Sequence, residues 1–234
     1  MNKAKQISTI NRISATIMEK YLSDDGKIFQ CINQNLEGVL EIPATGKWIN
    51  LQKLDCKDNQ LTTLIIPPEL VNLLELKCPG NPLTTLIIPP ELVNLQKLYC
   101  SHNQLTTFTI PSELVNLQKL YCWSNNLTTL TIPPQLINLR KLICNNNQLT
   151  TLIISPELVN LWKLHCNNNI IPVNNLREFR IWDKFVRIFS AYKIYYFLKN
   201  IYKYQARRLI PITFEIPYHP LCAKYNRQSD MWVD

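Results

Sequence analysis

LQKLDCKDNQLTTLIIPPELVN, Leu51 to Asn72, is followed without a gap by four near-copies of itself, starting at Leu73, Leu95, Leu117 and Leu139. A further copy, LWKLHCNNNI from Leu161, begins in the same way and then decays. Cys56, Cys78, Cys100, Cys122, Cys144 and Cys166 lie 22 residues apart at every step. A fixed period of roughly 20 to 50 residues is the signature of a stacked-repeat architecture. A unit this short cannot bury its own apolar face, so its neighbours must cover it. The chain is a solenoid.

Each unit reads L-x-x-L-x-C-x-x-N-x-L, as in Leu51, Leu54, Cys56, Asn59 and Leu61. This pattern resembles the leucine-rich repeat, whose units run about 20 to 29 residues. The resemblance implies a curved stack with one parallel strand per repeat on the concave side. A strand from Lys53 to Lys57 would turn Leu54 and Cys56 inward and Lys53, Asp55 and Lys57 outward, because side chains alternate across a strand. Asn59 then closes the strand and, stacked on its copies, makes an asparagine ladder that satisfies buried backbone groups. Leu61, Leu64, Ile66 and Leu70 fill the interior on the return. Pro67-Pro68 rules out a long helix there, so short convex turns are expected. The fold class is a β-rich leucine-rich repeat solenoid with an N-terminal helix and a C-terminal helical cap. The composition and the near-identity of the units also resemble the leucine-rich repeat proteins of giant DNA viruses.

Three segments follow from this pattern. Residues 1–27 read as a capping helix and turn, with Ile7, Ile10, Ile17 and Tyr21 on one helical face and Ser23-Asp24-Asp25-Gly26 ending it. Residues 28–173 form the solenoid: a degenerate first repeat at 28–50 with three extra residues, full repeats at 51–160, and a decaying last one at 161–173. Residues 174–234 make a basic, aromatic cap or tail. Ile181, Phe185, Ile188, Phe189, Tyr192, Tyr196 and Tyr202 fit a helical stripe there.

The net charge of +8 sits mostly in that tail, where residues 171–234 carry eleven basic and five acidic groups. The repeats are nearly neutral, with eight against seven over residues 51–170. No run approaches the ~18 apolar residues of a membrane span. The first twenty residues hold no uninterrupted apolar stretch for export, so an intracellular protein with reduced thiols is expected, in the host cytoplasm if the source is viral.

Chemistry has little to stand on in this sequence. The chain has four glycines and no phosphate-cradling loop, no H-E-x-x-H and no C-x-x-C pair. Cys222 and His219 lack a third partner. No cofactor, metal, small-molecule substrate or enzymatic activity is expected, and a monomer is.

The outward strand positions carry the functional reading. The column Lys53, Glu75, Lys97, Lys119, Lys141, Lys163 is either a basic ridge for an acidic partner or a by-product of copying. Tyr99, Tyr121, Trp123 and Trp162 would gather on the concave sheet, bordered by Lys97, Lys119, Lys141 and Lys163, with Arg140 beside Trp162 and His165 nearby. Tyr and Trp dominate binding hot spots, so these residues mark a protein-binding face. A second class of function stays open. The basic tail, through Arg180, Lys184, Arg187, Lys199, Lys203, Arg207 and Arg208, would hold nucleic acid or an anionic membrane.

Overall fold

The computed structural model describes residues 12–155 and 157–171, together with the backbone strands Tyr225–Asn226 and Met231–Trp232. The chain divides into two units, Met1–Phe179 and Arg180–Asp234. In the second, the two short strands pair antiparallel. The expected tail helix and Cys222 lie outside the described residues.

The first unit is built on a seven-stranded parallel sheet. Its strands are β1 (Ile28–Gln30), β3 (Lys53–Asp55), β5 (Glu75–Lys77), β6 (Lys97–Tyr99), β7 (Lys119–Tyr121), β9 (Lys141–Ile143) and β11 (Lys163–His165). The intervening labels belong to the opposite side, where β2 (Glu37–Glu41) pairs with β4 (Gln60–Ile65) and β8 (Thr129–Ile132) with β10 (Thr151–Ile154). Between β3 and β11 each residue pairs with its counterpart 22 positions on, as Lys97 does with Lys119 and Tyr99 with Tyr121. Each strand is three residues long rather than the five expected, although pairing runs on as Cys56 N–H donates to Lys77 C=O and Asp58 N–H to Pro79 C=O.

Burial follows the period. Leu54, Cys56, Leu61, Leu64, Ile66 and Leu70 are all buried, and so are their copies except the half-buried Leu164 on the last strand, with Phe108 standing in for a leucine. All seven described cysteines are free and buried. Thr and Pro occupy the return leg, which makes tight turns and short strands and no long helix, as the Pro pairs require.

The asparagine ladder has the expected place and a specific geometry. Asn103 Nδ2 donates to the carbonyls of Cys100 at 3.1 Å and Cys78 at 3.0 Å, and its Oδ1 accepts the Leu83 N–H at 3.2 Å. Asn81, Asn125 and Asn147 do the same one repeat away on either side and beyond. Each side chain therefore ties its own turn to the preceding one. A second ladder was not foreseen: Asn72, Asn94, Asn116, Asn138 and Asn160 each donate to the carbonyl of the exposed Ile or Val 23 residues earlier.

Just before each asparagine of this ladder the backbone turns left-handed, at Asp58, Gly80, His102, Ser124, Asn146 and Asn168. This conformation is rare for residues with a Cβ and best tolerated by Gly, Asn and Asp. It explains why that position drifts only among small and polar types.

The first repeat absorbs its extra residues locally. Ile28 pairs with Lys53 and Glu41 with Ile65, with a register shift at Gly38/Val39, and a 3-10 turn at Gly46–Asn50 takes up the rest. Its open side is covered by α1 (Ala15–Glu19), capped by the Ser14 hydroxyl, and by an antiparallel bridge from Leu22 to Phe29. The expected inner face of that helix is corrected. Met18 and Leu22 are buried, whereas Ile17 is exposed; Phe29 and Trp48 pack together with ring centroids 5.3 Å apart.

Candidate functional site

The concave face is formed by the outward residues of the three-residue strands, so consecutive repeats place like positions at about the 4.8 Å spacing of paired strands. In the middle column Tyr99 and Tyr121 meet edge to face, with ring centroids 4.9 Å apart. Lys77 lies over the Tyr99 ring at 5.4 Å. Burial first, then Glu75 and Tyr121, raises the Tyr99 phenol above its usual range.

Trp123 follows β7 by two residues. Its ring meets His102 of the preceding repeat edge-on at 4.0 Å. The left-handed turn at His102 lifts that imidazole to the rim beside Trp123. The sequence places His102 near the concave side but gives no reason to count it in the binding set. The only available signal was a bulky side chain where other repeats place Asp, Gly, Ser or Asn.

Trp162, at the far strand, is 46% exposed, and its ring carries the Lys141 ammonium at 4.7 Å. Arg140 is the backbone neighbour of Trp162, whose N–H donates to the Arg140 carbonyl. His165 is exposed on the last strand, and burial, then Lys163, pushes its imidazole below the ordinary histidine range.

At the charged end of the face, on β3 and β5, the acids Asp55 and Glu75 are already paired. Lys77 contacts Glu75 at 2.9 Å and Asp55 at 4.0 Å, and Lys97 reaches Glu75 at 3.6 Å. Burial alone would raise the Glu75 carboxyl; the Lys77 hydrogen bond and charge, with Lys97 and Lys53 behind, outweigh it and hold it low. Asp55 faces this side as expected, but it is only 3% exposed under that cover.

Burial disfavours the thiolate form along the cysteine column. Desolvation pushes Cys78, Cys122 and Cys166 up to about 12, and Cys31 reaches about 12 with Asp55 adding to burial. Since the thiolate is the nucleophile and metal ligand, this column is packing. Among the described residues no helix is long and apolar enough to cross a membrane.

The repeat geometry and the residues that fill it coincide with a known family model. A leucine-rich repeat model matches residues 50–73, and a two-copy leucine-rich repeat model matches residues 93–134. The fold is a leucine-rich repeat solenoid. These matches support the leucine-rich repeat family. No curated protein matches the chain.

Solved structures with leucine-rich repeats are similar in part. Internalin C2 of Listeria monocytogenes is 26% identical, over 62% of this chain and 73% of its own, with a TM-score of 0.42. YopM of Yersinia enterocolitica is also 26% identical, over 57% and 31%, at 0.39. A chain of the octameric complex of Latrophilin 3, Unc5D and FLRT2 is 19% identical, over 62% and 46%, at 0.48.

Proposed function

We propose that this chain is a non-enzymatic, intracellular interaction scaffold that holds a protein partner on its concave sheet. Leucine-rich repeat proteins act as protein-interaction scaffolds, and the outward positions here carry the residues suited to that role. The observation that carries the reading is the set of aromatic contacts along the sheet, Tyr99 with Tyr121, Trp123 with His102 and Trp162 under Lys141. Rigid aromatic rings with a charged border are how protein interfaces are composed. Both ladders and the inward leucines are used up in holding the stack. The outward strand sites are where the units differ from one another. The suggestion of a giant-virus source rests on composition and near-identical copies.

The test is affinity capture with the full chain and with Tyr121→Ala/Trp123→Ala, each at low and high salt. A partner held by the rings is lost with the double variant and kept at high salt. A polyanion held by the tail is lost at high salt and kept by the double variant, which would transfer the function to residues 174–234.

A further inference from the structure

The cations of the concave face fall into two groups. Lys77 and Lys97 are tied to Glu75 and Asp55, and the face's acids, Asp55, Asp58 and Glu75, all lie on its first two full repeats. Beyond Glu75 the outward strand positions and their rim carry Lys97, Lys119, Arg140, Lys141 and Lys163 and no acid. Of these, Lys119, Arg140, Lys141 and Lys163 make no ion pair among the described residues. Lys119, Lys141 and Lys163 are direct ladder partners, so their charges stack at strand spacing and oppose one another. Lys141 turns over the Trp162 ring instead of a carboxylate. The cations with no acid beside them thus adjoin Tyr121, Trp123 and Trp162, while at the other end Lys53 and Lys57, also without an ion pair among the described residues, share the face with Asp55, Asp58 and Glu75.

Resting on the scaffold reading above, we infer that the partner meets this face with an acidic protein segment. Its carboxylates lie over Lys119, Lys141 and Lys163, and its apolar side chains reach Tyr121 and Trp123. Lys97, already engaged by Glu75, falls outside this contact. Charge complementarity selects the occupant, because only an anionic partner relieves the stacked lysines. The rings favour protein over nucleic acid. Base stacking needs open ring faces, yet a face of Tyr99 carries Lys77 and a face of Trp162 carries Lys141.

The probe is a fluorescent peptide of about twelve residues, glutamates with leucines grouped at one end, beside its glutamine counterpart and an oligothymidylate of about equal length. Binding to the full chain is measured by anisotropy. Lys119→Glu/Lys141→Glu should weaken the glutamate peptide by roughly tenfold or more. The same charge change at Lys53→Glu/Lys57→Glu, on the half that already carries Asp55, Asp58 and Glu75, should weaken it by less than about threefold. Lys119→Gln/Lys141→Gln gives an intermediate loss and serves if the glutamates unfold the repeats. Equal losses from both charge-reversed pairs, or no loss, would overturn the inference, as would an oligothymidylate that binds tighter and shows the same pattern. If the lysine variants change nothing while Tyr121→Ala/Trp123→Ala still weakens the glutamine peptide, only the acidic segment fails. If no concave variant matters for any probe, the scaffold reading fails with it.

Discussion

Tyr99 and Tyr121, 22 residues apart, meet edge to face at 4.9 Å because parallel pairing sets them opposite each other on β6 and β7. Such a pair contributes about 0.5–1.5 kcal/mol beyond area burial. Their coupling in a double-mutant cycle with Phe-to-Ala-scale truncation, Tyr99→Ala and Tyr121→Ala, should fall in that range by urea unfolding. Each single variant should stay folded, since neither ring is part of the core.

Asn103 holds a different order of energy. Removing it leaves the buried carbonyls of Cys78 and Cys100 and the Leu83 N–H without this partner. The two carbonyls keep Asn81 and Asn125 as donors, so the Leu83 N–H is the group left unsatisfied; such a buried group costs about 1–3 kcal/mol, and Asn103→Ala should destabilise by roughly 2 kcal/mol or more. Asn94→Ala, which removes one exposed bond to the Val71 carbonyl, should cost about 1 kcal/mol or less. Equal losses in urea unfolding would show that the inner ladder is not what ties the turns together.

Much of this was legible before the structure. The inward set Leu54, Cys56, Leu61, Leu64, Ile66 and Leu70, the inner ladder at Asn59 and the bar on convex helices all follow from a 22-residue period and Pro placement. The outer ladder was not legible. Asn72 sits in PPELVN, which is copied as a block, so its repetition carried no separate signal. Ile17 was misplaced because four isoleucine and tyrosine positions were fitted to a long helix. The described helix is one turn long, and its buried face is set by Met18 and Leu22. The His102–Trp123 contact depends on a left-handed turn that periodicity does not encode.

The thiols give a pH test. Raised values for Cys78, Cys122 and Cys166, to about 12, mean that folding favours the neutral thiol. The associated stability is complete below the ordinary thiol value of 9.0 and is lost as pH rises from there towards about 12. Unfolding free energy should therefore fall above about pH 9. A thiol reagent at neutral pH should leave Cys31 and the repeat cysteines unlabelled, with Cys222 as the expected reactive thiol. Rapid labelling of every cysteine without denaturant would contradict the inward column.

Gly80 tests the left-handed turn. It has a φ of +67°, and an added Cβ would collide with Asp58 Oδ1. The carboxylate can rotate away, so the expected cost of Gly80→Ala is mainly conformational, about 1 kcal/mol in urea unfolding. Gly80→Val should cost more, since a β-branched residue is least tolerant of this region.

The central claim is that a protein partner is held by the rings of the concave sheet. It is tested most directly by the affinity of a captured and purified partner for the full chain and for Tyr121→Ala/Trp123→Ala, with a melting curve for each. Outward-facing rings predict a nearly unchanged melt and a binding loss of roughly 2 kcal/mol or more. Unchanged affinity in a folded double variant would contradict the claim.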